Sequence, residues 1–273
     1  MNAMRLASVF ALGCLVLPGA AAETEFLTIA STTSTDHSGL YDYLLPIYEK
    51  QAGVSFRVVA VGTGQAIRNA MRGDADLLIV HHRESEERFV AKGYGLKRDD
   101  LMYNEFMLIG PREDPAKAAE ADSIEEALRR ISLSGFTFVS RGDDSGTHKR
   151  ELELWVKAET QVRPASGDWY WEAGAGMGPT LNTAAARNAY VLSDGATWAA
   201  FGNRQDLAVL YRDDPLLHNQ YGIIVVNPER HPHVKSKLAE AFSDWLLSED
   251  GQQAIADFKI GGQQVFFPNA RPR

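Results

Sequence analysis

The feature that most restricts this chain is a rhythm: from Phe26 to Phe258, short apolar runs alternate with segments of helical periodicity. Phe26–Ala30 reads as a strand, and Leu40–Gln51 as a helix with Leu44, Ile47 and Tyr48 on one side. Ser55–Val61 and Gln65–Arg72 repeat the pair, and Leu77–Val80 and Leu101–Gly110 read as further strands. Strands separated by helices predict a mostly parallel sheet covered on both faces. After Pro111–Ala121, rich in Pro, Ala and charge, the rhythm restarts. Ser123, with Glu126 three residues on, opens a helix to Arg130 in a capping-box pattern. Phe136–Ser140 is a strand and Thr147–Lys157 a helix, followed by strands at Tyr190–Leu192, Leu207–Leu210 and Tyr221–Val226. Helices Val234–Leu247 and Glu249–Phe258 finish the chain. The restart predicts an α/β fold of two lobes joined by crossing strands near 108–112 and 216–222, with a ligand cleft between them. The expected divisions are 1–22, a first part of lobe I at 23–110, lobe II at 111–217, and a return to lobe I at 218–273.

The amino terminus carries Arg5, an apolar run from Leu6 to Leu17, a Pro18-Gly19 break, and Ala20-Ala21-Ala22. That order is a secretory signal peptide cut after Ala22. The run is shorter than the roughly 18–20 apolar residues that cross a bilayer. Ala11-Leu12-Gly13 is a poor lipidation box for Cys14. Cys14 is the sole cysteine and leaves with the signal, so the mature chain forms no disulfide. A formal net charge of −8 argues against nucleic acid as a partner, since phosphate contacts need a basic surface. It leaves room for a local anion site wherever donors converge.

Three turns have the composition for such convergence: Ser31-Thr32-Thr33-Ser34, Gly62-Thr63-Gly64 and Arg141-Gly142-Asp143-Asp144-Ser145-Gly146-Thr147. Each follows a strand and opens a helix. A helix amino terminus offers unpaired N–H groups and the positive end of the dipole. Small hydroxyls add donors without bulk, and Arg141 adds a forked cation suited to oxyanions. Taken singly, each turn is satisfied by ordinary capping; taken together, they can close around one anion.

Ile29 through Leu40 (IASTTSTDHSGL) resembles the opening signature of the tungstate-binding components of ABC importers. Arg141 through His148 (RGDDSGTH) is similar to their second signature, and Ala189 through Asp194 (AYVLSD) to a third. The resemblance implies the two-lobed periplasmic-binding-protein fold, a periplasmic location, and delivery to an ABC transporter permease with its ATPase. It also implies that the protein is no enzyme, needs no cofactor, and takes tungstate or molybdate as its ligand. A monomer is the default. Carried over by motif, the ligand residues are Thr32, Thr33, Ser34, Arg141, Ser145, Gly146 and Thr147, with Thr63 and Thr183 as further candidates. Ser31 stands where threonine is usual in the family.

The Arg-x-Asp-x-Ser-Gly-Thr core also resembles phosphate-binding proteins, so phosphate is the alternative ligand. Hydrogenphosphate can be recognised by a carboxylate acceptor, whereas tungstate, molybdate and sulfate accept only, and a carboxylate aimed at them repels. The orientation of Asp143 and Asp144 therefore chooses between them, and the sequence leaves it open. A serine hydrolase built on Asp144, Ser145 and His148 is the alternative of another class, but no G-x-S-x-G elbow accompanies Ser145. The pairs His81-His82 and His231/His233 lack carboxylate or thiolate partners at metal-ligand spacings. Trp169-Tyr170-Trp171 reads as packing, and Glu86-Glu87 and Asp99-Asp100 as solvated faces.

Overall fold

The computed structural model describes residues 25–271, so the signal segment and its cleavage point lie outside the described residues. The first half of the chain runs β1 (Phe26–Thr32), α1 (Thr33–His37), α2 (Leu40–Ala52), β2 (Ser55–Val61), α3 (Thr63–Arg72), β3 (Leu77–Val80), α4 (Arg83–Ala91) and β4 (Gly95–Pro111). It continues with α5 (Ile124–Ser134), β5 (Phe138–Ser140), α6 (Gly146–Lys157), β6 (Tyr170–Glu172), α7 (Met177–Arg187), β7 (Val191–Asp194), α8 (Gly195–Ala200) and β8 (Leu207–Tyr211). Then come β9 (His218–Val226), α9 (Ser236–Leu247), α10 (Glu249–Asp257) and the short β10 (Lys259–Ile260), β11 (Gln263–Gln264) and β12 (Phe267–Pro268).

β1 lies between β2 and β3, parallel to both. Beyond β3 the sheet turns antiparallel, through β9 to β4. The sheet is thus mixed rather than mostly parallel. The reason is topological: a strand leaving one lobe and a strand returning to it must run in opposite directions. β4 pairs with β9 as far as Glu105 opposite His218. From Phe106 it pairs with β7, and from Leu108 with β8, in the second lobe. The first crossing therefore falls at 104–106, ahead of the expected 108–112, because Leu108 and Ile109 already belong to the second lobe's sheet.

Alternation along the strands fills two layers in each lobe. In the first, Leu27, Ile29, Ile79 and Ile223 face α2 and α9, packing with Leu44, Phe242 and Trp245. Ala30, Leu78, Val80, Ile224 and Val226 face the other way, onto Ala66, Ala70 and Phe89. In the second lobe, Phe106, Leu108, Phe138 and Leu192 pack under Leu128 and Trp155, while Ile109, Val139 and Val191 pack under Leu181. Ser123 caps α5 by accepting from the Glu126 N–H (3.2 Å), as its motif predicted.

Two charged stretches concealed structure. β4 begins at Gly95 and runs through Leu96-Lys97-Arg98-Asp99-Asp100, and α4 carries Glu84, Glu86 and Glu87. Glu86 is fully buried rather than solvated, and accepts from Arg98 Nε at 2.6 Å. Arg98 also donates to Asp100 at 2.5 Å. The Trp169–Trp171 segment packs mainly inward: Tyr170 is buried and Trp169 sits edge-on to Trp155, while exposed Trp171 lies under Arg187. No helix among the described residues is long and apolar enough to cross a membrane.

Glu151 of α6 is a buried carboxyl beneath the second lobe's polar turn. It accepts from the Tyr170 hydroxyl (2.6 Å), Trp155 Nε1 (3.3 Å) and the Arg141 backbone. Burial outweighs those donors and pushes its pKa up to about 7. The folded chain thus keeps a proton that the unfolded chain has already lost. This contribution is complete below the ordinary carboxylate range and is lost as pH rises toward 7. Glu151→Gln should therefore gain thermal stability relative to the parent between about pH 5 and about pH 8. Melting temperatures that fall in parallel over that range would contradict a protonated Glu151.

Candidate functional site

The three polar turns meet where the lobes touch. β1 ends at Thr32 and α1 starts; Gly62 follows β2 and α3 starts. Neither helix has a side-chain cap, so first-turn N–H groups remain available to another acceptor. Across the cleft, the turn after β5 doubles back through Gly142 (φ 61) and Asp144 (φ 57) into α6. Ser145 caps α6 by accepting from the His148 N–H (3.2 Å). The Gly146 N–H instead donates to Thr63 Oγ1 in the other lobe (2.9 Å). A Cβ at Gly146 would meet His81 Cε1 at 2.8 Å and Thr63 Oγ1 at 3.0 Å, so the lobes come this close only with glycine there.

Arg141 is 2% exposed and donates to Asp143 Oδ2 from Nη2 (2.6 Å) and Nε (3.2 Å). The other Asp143 oxygen accepts from the Ser145 N–H (3.2 Å). Asp144 lies at the surface against the Lys149 ammonium. One aspartate therefore braces the arginine and a backbone donor; the other, largely exposed, holds Lys149 with one oxygen and lies against Gly64 in the first turn of α3 with the other. A third carboxyl, Asp194, is buried and caps α8 through the Thr197 N–H (2.9 Å) and hydroxyl (2.7 Å). Burial raises its pKa, opposed by Thr197 and by the charge of Arg141.

The hydroxyls fall into distinct groups. Thr32 Oγ1 lies 3.2 Å from Ser34 Oγ and 2.7 Å from Thr35 Oγ1. Thr33, half-buried, is the first residue of α1. Thr147 Oγ1 is buried without a partner, which for a hydroxyl costs about 1–3 kcal/mol. Ser31 is taken up internally, donating to the Ile79 carbonyl (2.9 Å) beside the Tyr41 hydroxyl. Thr183 stands apart: it donates to the Pro179 carbonyl one turn back in α7 (3.0 Å), a bond that any helix could make.

Sequence reasoning missed His81. It directly follows β3, is 6% exposed, and lies 3.4 Å from Ser34 through Nε2 and 3.0 Å from Asn219 through Nδ1. The available signal was its place at the carboxyl end of a buried strand beside β1, where open α/β sheets gather ligands. A cleft of about 480 Å³ opens beside it, lined by His81, His82, Gly146, Arg150, His218 and Asn219 among others.

The other arrangements weighed from sequence take different shapes. Ser145 Oγ accepts from the backbone of His148, and His148 Nδ1 accepts from the Asp144 N–H (3.1 Å), so these residues bond through the main chain rather than as a nucleophile relay. His82 does find carboxylates, contrary to the sequence reading: its ligand atoms and those of Glu84 and Glu153 lie within 4.8 Å of one another. Each is already matched, His82 with Ser85 and Glu153, Glu84 with Arg88, and Glu153 with Arg150.

Gly146→Ala should hold the lobes apart, because neither the imidazole nor the Thr63 hydroxyl can retreat cheaply. Small-angle scattering should then report a larger radius of gyration than for the parent, with little change in melting temperature. An unchanged radius under ligand-saturating conditions would mean that Gly146 does not gate the contact.

A family model described as a PBP superfamily domain matches residues 19–250. The chain is 45% identical over 248 residues to the tungstate-binding protein TupA of Peptoclostridium acidaminophilum, covering 89% of this chain and 86% of that relative. The solved tungstate ABC transporter structure from Geobacter sulfurreducens matches at 46% identity and a TM-score of 0.79, over 86% of this chain and 99% of that one. The tungstate-binding protein TupA from Desulfovibrio alaskensis G20 matches at 41% identity and the same TM-score, over 91% and 100%. With such identity across nearly the whole of each partner, and a mixed two-lobed sheet closed around a buried arginine, this chain belongs to the PBP superfamily and, within it, to the family of the tungstate-binding proteins.

Proposed function

We propose that this protein captures an unprotonated tetrahedral oxyanion, tungstate with molybdate next, and delivers it to an ABC importer. The observation that carries this reading is the orientation of the two aspartates. Asp143 is spent on Arg141 and a backbone N–H, and Asp144 on Lys149. Donors remain: the uncapped starts of α1 and α3, the Arg141 guanidinium, and the unpartnered Thr147 hydroxyl. A site rich in donors suits a dianion that only accepts, and offers hydrogenphosphate no free carboxylate to receive its proton. The choice of tungstate within that class follows the names of the relatives.

Thr32, Thr33, Ser34, Thr63, Arg141, Ser145, Gly146 and Thr147 form the proposed ligand set, and Thr183 has no part in it. The lobes keep the divisions 23–110, 111–217 and 218–273, except that the first boundary is set back to 104–106, where β4 leaves β9 for β7; the return is at 218–220. Export by the signal at 1–22, cleavage after Ala22, a monomeric carrier, and a permease with its ATPase as partner complete the reading. Catalysis has no role in it, since Ser145 and His148 serve the turn into α6.

Calorimetric titration of the mature protein with tungstate, molybdate, sulfate and phosphate tests this. Tungstate should bind tightly, with sulfate and phosphate weak or silent. Arg141→Ala should lose about a hundredfold or more in tungstate affinity, because charge-assisted bonds are about twice as strong as neutral ones. Asp144→Asn should stay within about threefold, since exposed ion pairs contribute little. Tight phosphate binding without a tungstate response would overturn the proposal.

A further inference from the structure

Seven buried side chains form a ring of hydrogen bonds beside the proposed anion site. Thr35 Oγ1 meets Thr32 Oγ1 (2.7 Å), Thr32 meets Ser34 Oγ (3.2 Å), and Ser34 meets His81 Nε2 (3.4 Å). His81 Nδ1 meets Asn219 Oδ1 (3.0 Å), and Asn219 Nδ2 donates to Asn104 Oδ1 (2.6 Å). Asn104 Nδ2 donates to the Tyr221 hydroxyl (3.4 Å), which returns to Thr35. No member is more than 6% exposed. The ring joins the first polar turn to the crossing itself, since Asn104 and Asn219 face each other in the register of β4 and β9.

The bonds fix a direction. Asn219 presents its oxygen to His81, and an amide oxygen only accepts, so the imidazole proton sits on Nδ1. The imidazole is neutral, because burial and the nearby Arg141 hold its pKa at about 3. Nε2 is therefore a bare lone pair, and the Ser34 hydroxyl proton points at it. In this sense of the ring Ser34 has no proton to offer an anion. The ring has a second sense, in which donors and acceptors exchange roles and Ser34 donates toward Thr32 instead of His81. His81 then carries its proton on Nε2 and donates to Ser34 Oγ, so the Ser34 hydroxyl proton can turn from Thr32 to an outward acceptor, exchanging the Ser34–Thr32 bond for one to the anion. Asn219 and Asn104 turn their amides over, and Tyr221 donates to Asn104.

We propose that His81 is a positioning residue that changes tautomer when the site fills, from Nδ1–H to Nε2–H, so that Ser34 becomes a donor to the anion. The proton count does not change: one ring nitrogen loses a hydrogen and the other gains one. This proposal rests on the oxyanion reading above and deepens it, because it gives a mechanism by which a hydroxyl satisfied within the ring is released to an acceptor-only ligand.

The test is long-range proton–nitrogen NMR of the ¹⁵N-histidine-labelled mature protein, without and with saturating tungstate near neutral pH. The His81 resonances are assigned by their loss in His81→Gln. The pyrrole-type nitrogen should be Nδ1 without tungstate and Nε2 with it. An unchanged tautomer, or protonation of both nitrogens, overturns the proposal. Calorimetry in buffers of different ionisation enthalpy should show no proton uptake on binding, and uptake would equally overturn it. His81→Gln, whose amide can offer Ser34 either a donor or an acceptor, should keep tungstate affinity within about threefold. His81→Leu should lose about tenfold or more. Equal affinity in the leucine variant removes His81 from the site. A parent protein that ignores tungstate sinks the oxyanion reading and this proposal with it, whereas tight binding with a fixed tautomer sinks this proposal alone.

Discussion

A guanidinium buried between two lobes sets the terms for what surrounds it. Arg141 is almost wholly out of solvent, and an unmatched charge there would cost several kcal/mol. Asp143 matches it from two residues away, which fixes the shape of the turn: the chain must double back at Gly142 and Asp144 to bring the carboxylate under the guanidinium. Glu151 then accepts from the Arg141 backbone from below, and burial keeps that acid partly protonated up to neutral pH. The acids near the guanidinium are engaged: Asp143 by the arginine, Asp194 by Thr197.

The lobes come into close contact near this charge. Glycine at 146 lets an N–H of α6 reach Thr63, and puts the imidazole of His81 against the same backbone. The crossing strands lie directly behind. Asn104 and Asn219 pair across β4 and β9, so a buried amide pair, and not an apolar contact, sits where the chain passes between lobes. Buried amides tolerate few geometries without losing a bond, which makes the crossing specific where hydrophobic packing would be permissive. The ring through His81 then places the first turn's hydroxyls and the crossing in one hydrogen-bonded unit.

Much of this was legible beforehand. The alternation of strand and helix gave the α/β class, and the hydroxyl- and glycine-rich turns marked both sides of the cleft, since helix starts with those residues read the same in any fold. Charge misled in two places. Leu96–Asp100 and the acidic α4 looked solvated, yet Glu86, Arg98 and Asp100 neutralise one another partly or wholly out of water. Pairing across 12 residues leaves no periodic trace, so a buried ion pair and a wet surface are written in the same letters.

By itself the sequence determined which residues could serve an oxyanion, because donor capacity belongs to residue type: threonine and serine hydroxyls, a glycine's open backbone, a forked arginine. Direction belonged to the tertiary structure. Whether Asp143 faced an anion or an arginine, and whether Thr183 joined the cleft or closed on its own helix, depended on which way each side chain turned among near neighbours, and the place of His81 in the site depended on Ser34, 47 residues away. A hydrogen bond is a relation between two atoms in space, and local sequence specifies only one of them.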